Sequence, residues 1–235
     1  MPRLPRVRLA PALLIASALS LAPSLVRAQT SAVLDEGTLM VSVKGSPAGR
    51  ESFRIVRAPG PGGQALHATS STALGTRRIT SSLGTDSTGI PVTYESKVFD
   101  ANVQSDHVSG RGRPGRFSVL VRTRSGESAR EYVLENGALL IDEEVFHHYY
   151  FLTLAGSHQR FNVIEARNQQ QSPFAFAERG EETLMIGGRP IESRHLVLTG
   201  ASGTRDVWVD DKGRLLKVAI PAAGVVAVRD DPPRN

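Results

Sequence analysis

The chain has 235 residues, no cysteine, and 28 Lys and Arg against 23 Asp and Glu, a formal charge of +5. The absence of cysteine excludes a thiol nucleophile, a thiolate metal site and the lipid-bearing cysteine of a bacterial lipoprotein. Four arginines (Arg3, Arg6, Arg8 and Arg27) lie in an N-terminal segment expected to be removed, leaving 24 cations against 23 acids, a balance with no long-range attraction for nucleic-acid phosphates.

That segment, residues 1–28, reads as a secretory signal peptide. Arg3, Arg6 and Arg8 form the positive n-region, Leu9 to Leu25 an Ala/Leu-rich apolar region, and Val26-Arg27-Ala28 a cleavage site before Gln29. Pro11, Pro23, Ser17, Ser20 and Ser24 interrupt the apolar region; a membrane span takes about 20 unbroken apolar residues. The protein is therefore expected to be periplasmic or secreted, with no membrane span after cleavage. What remains is long enough to bury a core without disulfides. It divides into a polar leader over 29–37, a single antiparallel β domain over 38–229 and a disordered tail over 230–235, which has no apolar residue to anchor it.

In chain order, Thr38 to Val43 and Glu51 to Val56 are apolar-rich runs separated by Gly45-Ser46-Pro47-Ala48-Gly49, a hairpin with Phe53 and Ile55 on one face. Pro59-Gly60-Pro61-Gly62-Gly63 is a loop by composition. Val92, Tyr94, Ser96 and Val98 alternate with polar residues, as do Phe117, Val119 and Val121, then Tyr132 and Leu134. One segment breaks the period of two. Asp142 can cap a helix, Glu143 and Glu144 suit its first turn, and Val145 to Ala155 runs apolar and aromatic up to Gly156. A helix is predicted near 143–155, apolar enough all round to be buried inside or across a curved sheet. Apolar runs at Phe161–Val163, Leu184–Ile186 and Leu196–Leu198 follow. The final pair carries Trp208 and Leu216-Val218-Ile220 around the turn Asp210-Asp211-Lys212-Gly213, with Gly213 suited to a G1 bulge. About ten strands make an all-β meander that curls into a barrel or sandwich.

Several motifs fail on their context. Gly110-Arg111-Gly112-Arg113-Pro114-Gly115 matches the dinucleotide fingerprint in letters, but has strand patterns on both sides and no helix to present amides to a phosphate; it is a hairpin loop. Asp86-Ser87-Thr88-Gly89 is a turn, with no second copy to supply a partner carboxylate. The six histidines, His67, His107, His147, His148, His158 and His195, show no metal-ligand spacing. No G-x-S-x-G elbow of a serine hydrolase occurs. No cofactor, metal or catalytic residue is assigned.

The closing segment Val207 to Pro221, the opening Gly49-Arg50-Glu51, and Leu140-Ile141-Asp142 followed by Phe146-His147-His148-Tyr149 are similar to features of exported bacterial envelope proteins known mostly as domains of unknown function. Those proteins resemble the lipoprotein-localisation carriers. The resemblance implies a mainly β, antiparallel open (half) barrel wrapped on one central helix, with a concave apolar cavity for acyl chains. It brings no catalytic residue and no residue-by-residue map of lipid contacts.

The leading expectation is a non-catalytic periplasmic binding protein for an apolar or amphipathic ligand, a lipid or lipidated partner. The rival is a structural or interaction module of the envelope with a filled barrel, and the third a hydrolase. The candidate ligand-binding residues are Phe146, Tyr149 and Leu152 on the helix, with Phe53, Tyr94 and Tyr132 on the strands facing it; ordinary core packing is their alternative role.

Overall fold

The computed structural model of the chain describes residues 31–60, 63–134, 137–154 and 159–234. The expected signal peptide with its cleavage site, the expected helix stop at Gly156, and His158 lie outside the described residues.

One sheet organises the described residues. Its first half is a meander of eight strands: β1 (Ala32–Val43), β2 (Ser46–Gly60), β3 (Gly63–Leu74), β4 (Arg77–Asp86), β5 (Pro91–Asp100), β6 (Val103–Arg113), β7 (Arg116–Thr123) and β8 (Gly126–Val133). Short β9 (Leu139–Ile141) and a 3-10 helix, His147–Leu154, lead into the second half. That half comprises β10 (Arg160–Glu165), β11 (Gln170–Ile186), β12 (Arg189–Gly200), β13 (Gly203–Val209), β14 (Leu215–Ile220) and β15 (Val225–Arg229). β15 pairs with β1, which joins the two meanders, so the order runs β8 to β1, then β15 back to β9. Every neighbouring pair is antiparallel except β9 with β10.

The sheet remains open, with β8 and β9 at its edges. An exposed edge invites pairing with another chain, and here side chains cover part of it. Gln169 Nε2 donates to the Ser128 carbonyl at 3.0 Å, and Gln171 Nε2 to the Val133 carbonyl at 2.7 Å. The β10–β11 turn thus meets the β8 edge through glutamine amides, not through a backbone ladder.

Alternation places the core as the sequence predicts on β2, β7 and β8, where Phe53, Ile55, Phe117, Val119, Val121 and Tyr132 point inward. The opening hairpin is tighter than expected. Lys44 and Gly45, with φ of 49° and 80°, make a two-residue turn, and Ser46 to Gly49 already belong to β2. β1 begins at Ala32, inside the stretch read as a polar leader. Val92 faces outward although Tyr94 faces inward, because a register shift between Gly84 and Thr85 changes its parity. The G-x-G-x-x-G segment is a hairpin as predicted, but only Pro114 and Gly115 form the turn. Gly110 lies in β6, where a Cβ would sit 2.5 Å from the Phe117 ring. Gly213 has the expected left-handed φ, 77°, and donates its amide to the Asp210 carbonyl.

The helix departs most from expectation. It is 3-10, and it starts at His147 rather than 143. Glu144 has φ of 60°, which ends any α-helix begun at Asp142. In a 3-10 helix residues three apart eclipse, so Phe146, Tyr149 and Leu152 share one line, and all three are buried. His147 to Leu152 are buried without exception.

Beyond a register shift between Glu178 and Gly180, the outer half of the β11–β12 hairpin carries Ile186, Leu184 and Ile191 into a satellite core with Trp208, Leu216 and Val228. Trp208 therefore belongs to this second cluster, not to the central one. His195 stacks on its ring at 4.4 Å, Lys217 Nζ lies 4.1 Å from the ring centroid, and its indole N–H donates to Glu182 at 3.1 Å. Trp208→Ala is expected to cost about 3 kcal/mol, read as a lowered urea midpoint. A change below about half a kcal/mol, the range of ordinary surface substitutions, would contradict this packing.

Candidate functional site

Two features near residues 141–170 combine chemistry with shape: a buried polar cluster around the 3-10 helix, and a cavity of about 560 Å³ beside it.

The cluster starts from Glu51, fully buried on β2 with the same parity as Phe53 and Ile55. Its carboxylate accepts the amides of Phe146 at 2.8 Å and His147 at 3.1 Å, and the His147 ring Nδ1–H at 2.8 Å. Glu51 is thus the cap of the helix, a role expected of Asp142. Asp142 accepts the Tyr94 hydroxyl at 2.5 Å, an Arg167 guanidinium N–H at 2.8 Å and the Glu143 amide at 2.9 Å. The Asp142 amide donates to His148 Nδ1 at 3.3 Å, which puts the proton of the neutral ring on Nε2. The two histidine rings meet edge to face at 4.6 Å, and among the described residues neither Nε2 has a hydrogen-bond partner. Both histidines are wholly inside the core.

Burial sets the titration of this cluster. Desolvation, followed by the charge of His147 and of Arg167, holds His148 well below the ordinary histidine value. Burial and then the Asp142 carboxylate push Tyr94 well above the usual phenol range, and burial pushes Tyr149 to about 12. A histidine depressed in the folded state takes its proton in the unfolded chain first, so folding stability should fall as pH drops below about 6.5, by up to about 1.4 kcal/mol per pH unit. Urea midpoints measured downward from neutrality should show that slope. His148→Asn, which keeps an acceptor for the Asp142 amide, should flatten it; an unchanged slope would remove His148 as its source. The tyrosines give the opposite arm. Stability should be lost as pH rises from about 10 towards 12, since the unfolded phenols ionise first.

The cavity has an apolar wall and a charged rim. Val41, Val43, Leu74, Phe146, Tyr149, Ile220 and Val225 supply the wall; Arg77, Arg167 and Arg205 with Asp142, Glu144 and Glu165 supply the rim. The β10–β11 turn carries Arg167, held by the Ala166 amide donating to the Ile141 carbonyl at 3.1 Å. Arg205, on β13, donates to the Ser202 carbonyl and lies over the Phe174 ring. A volume of this size falls within the range of small-molecule sites, which pair apolar walls with a few placed polar groups.

All six sequence-predicted site residues are buried in the central core. Phe146 and Tyr149 line the cavity. Tyr94 holds Asp142, and Phe53 stacks on His147 with centroids 6.1 Å apart. Tyr132 and Leu152 are core residues away from the cavity wall. The rim arginines escaped sequence reading. Arg167 and Arg205 stand in a turn and on a strand with no motif around them, and only the fold brings them together. Among the described residues no group of three His, Asp or Glu side chains is placed to hold a metal ion, and no helix is long and apolar enough to cross a membrane.

No protein-family model and no curated protein matches the chain. Among solved structures it is similar to a beta-barrel-like protein of domain of unknown function DUF1849 from Brucella abortus, with 9% sequence identity and a TM-score of 0.46, over 87% of this chain and 97% of that one.

Proposed function

We propose that this chain is an exported, non-catalytic envelope protein that binds an apolar or amphipathic ligand, a lipid or a lipidated partner, in the cavity beside its 3-10 helix. The observation that carries the reading is the cavity itself, about 560 Å³ with aliphatic and aromatic walls and guanidinium groups at the rim. In this reading the open sheet wraps on the central helix as in the lipoprotein-localisation carriers that the sequence resembles. Phe146 and Tyr149 touch the ligand, while Phe53, Tyr94, Tyr132 and Leu152 back them. The Arg-rich N-terminus with its Ala28 site directs export, so N-terminal sequencing of the exported form should begin at or near Gln29; retention of Met1 in a membrane fraction would contradict it.

Native mass spectrometry of protein purified from its own envelope tests the ligand. A co-purifying lipid is the expected result. Val225→Trp, which fills the cavity from a half-buried wall position, should abolish binding of an acyl-chain probe with little change in the urea midpoint. Unchanged probe binding in that variant would put the ligand elsewhere.

A structural envelope module is the second reading, favoured by the complete burial of His147 to Leu152, which leaves that part of the interior packed. A bare protein that also fails to bind acyl-chain probes would decide for it. Hydrolysis ranks third: the Glu51–His147 pair has the form of a base and its orienting acid, but both side chains are sealed from solvent and neither lines the cavity.

A further inference from the structure

The cavity rim carries a carboxylate held between two arginines on a backbone that disfavours it. Glu144 sits at φ of 60°, a left-handed conformation uncommon for a residue of its kind. Its Oε2 accepts Arg77 Nε at 2.7 Å and lies 3.5 Å from Arg167 Nη1. Arg167 is the more unusual partner. Its side chain is only 9% exposed, and one N–H is spent on Asp142 at 2.8 Å. Among the described residues its Nε and Nη1 lack hydrogen-bond partners, although it faces the cavity. Buried guanidinium donors without acceptors are costly, and a planar, charged acceptor satisfies them best.

We propose that Arg77 and Arg167 form the headgroup site for a long-chain carboxylate, and that Glu144 stands in for that headgroup and swings aside when the ligand enters. The inference rests on the cavity being a ligand site. Two observations support the exchange. Glu144 is about one-third exposed, 34% by side chain, so it has a route into water. The charge balance also selects the ligand. Asp142, Glu143 and Glu165 stay at the rim, so one negative charge replacing another leaves the balance unchanged, whereas a doubly charged phosphate adds repulsion. The apolar wall then takes the chain.

The test compares cis-parinaric acid, a fluorescent long-chain carboxylate, with its methyl ester, at a pH well above the carboxylate range. The acid should bind about tenfold more tightly, the scale of a charge-assisted hydrogen bond. Acetate, a headgroup without a chain, should not displace it. Glu144→Gln should raise the acid's affinity about threefold, because a neutral stand-in is more easily displaced, and leave the ester's unchanged. Arg77→Gln should erase the preference for the acid. Arg77 serves here because Arg167→Gln strands the buried Asp142 and risks unfolding. Equal binding of acid and ester, or a Glu144→Gln variant that weakens both, overturns the headgroup site while leaving an apolar cavity in place. Failure of both probes to bind overturns the cavity reading and this inference together.

Discussion

Glu51→Ala should cost about 4 kcal/mol or more of folding stability, and near-ultraviolet circular dichroism should lose the signal of the packed aromatics. Removing the side chain leaves two backbone amides and a ring N–H without acceptors in a site that water does not reach. Each buried unsatisfied group costs about 1–3 kcal/mol, so the three together account for a loss of about 4 kcal/mol. The effect spreads, because Phe146, His147 and His148 start a segment that is buried through to Leu152. Glu51→Gln separates charge from shape. Its amide oxygen can still accept the Phe146 and His147 amides, so it should recover roughly half the loss. If Glu51→Ala shifted stability by under about 1 kcal/mol, the capping role would fall, since even an exposed cap is worth about that much.

The signal for Glu51 was present in the sequence. Alternation puts residues 51, 53 and 55 on one face, and Phe53 and Ile55 mark that face as dry. An acid on a dry face needs a partner, but nothing local says that the partner lies 95 residues away. The same limit explains the helix. Its apolar content declared burial, yet its 3-10 form depends on Glu51 taking the first amides and on the left-handed Glu144, both tertiary outcomes. Strands with large alternating side chains were legible, as β5 and β7 illustrate. β3 and β4 were not, because Thr69 to Thr72 and Thr80 to Ser82 present small hydroxyl residues on both faces. Such strands are held by their neighbours on either side and show no hydrophobic period.

The end of the chain illustrates a different gap. Trp208 to Ile220 looked like the final pair, and Val225–Arg229 carries too short an apolar run to stand out. Yet β15 is the strand that joins the two meanders, with Leu39 opposite Arg229 and Val43 opposite Val225. Residues 230–234, read from sequence as a tail, follow β15 closely: the Asp230 amide donates to the Thr38 carbonyl at 2.9 Å. The rim of the cavity was illegible for a related reason. Arg77 on β4, Arg167 in the β10–β11 turn and Arg205 on β13 are far apart in the sequence, so their meeting follows from the tertiary fold and not from any spacing.

Arg229→Leu is the second substitution expected to have a large effect, about 4 kcal/mol near neutrality. Arg229 and Asp35 are both buried and form an ion pair at 2.8 Å between β15 and β1. Arg229 also donates to the carbonyls of Leu215, at 2.9 Å, and Glu36, and lies over the Phe53 ring. Asp35 in turn accepts the Leu215 amide at 2.9 Å. One pair therefore ties β1, β14 and β15 together where the two meanders meet. Burial already pushes the Asp35 carboxyl above its usual range, with Arg229 pulling it back. Without Arg229 that carboxyl should rise further, because an isolated buried carboxylate is the disfavoured form. A carboxyl raised in the folded state contributes stability below its unfolded value, near 4, and loses it as pH rises through the folded value. The deficit of Arg229→Leu should therefore shrink in mild acid and grow towards neutrality. Asp35→Leu combined with Arg229→Leu should cost much less than the sum of the two single changes, with a coupling of about 2–3 kcal/mol. Equilibrium urea unfolding of the four proteins at two pH values measures all of this. Additive losses that do not change with pH would mean that the pair is incidental to the junction.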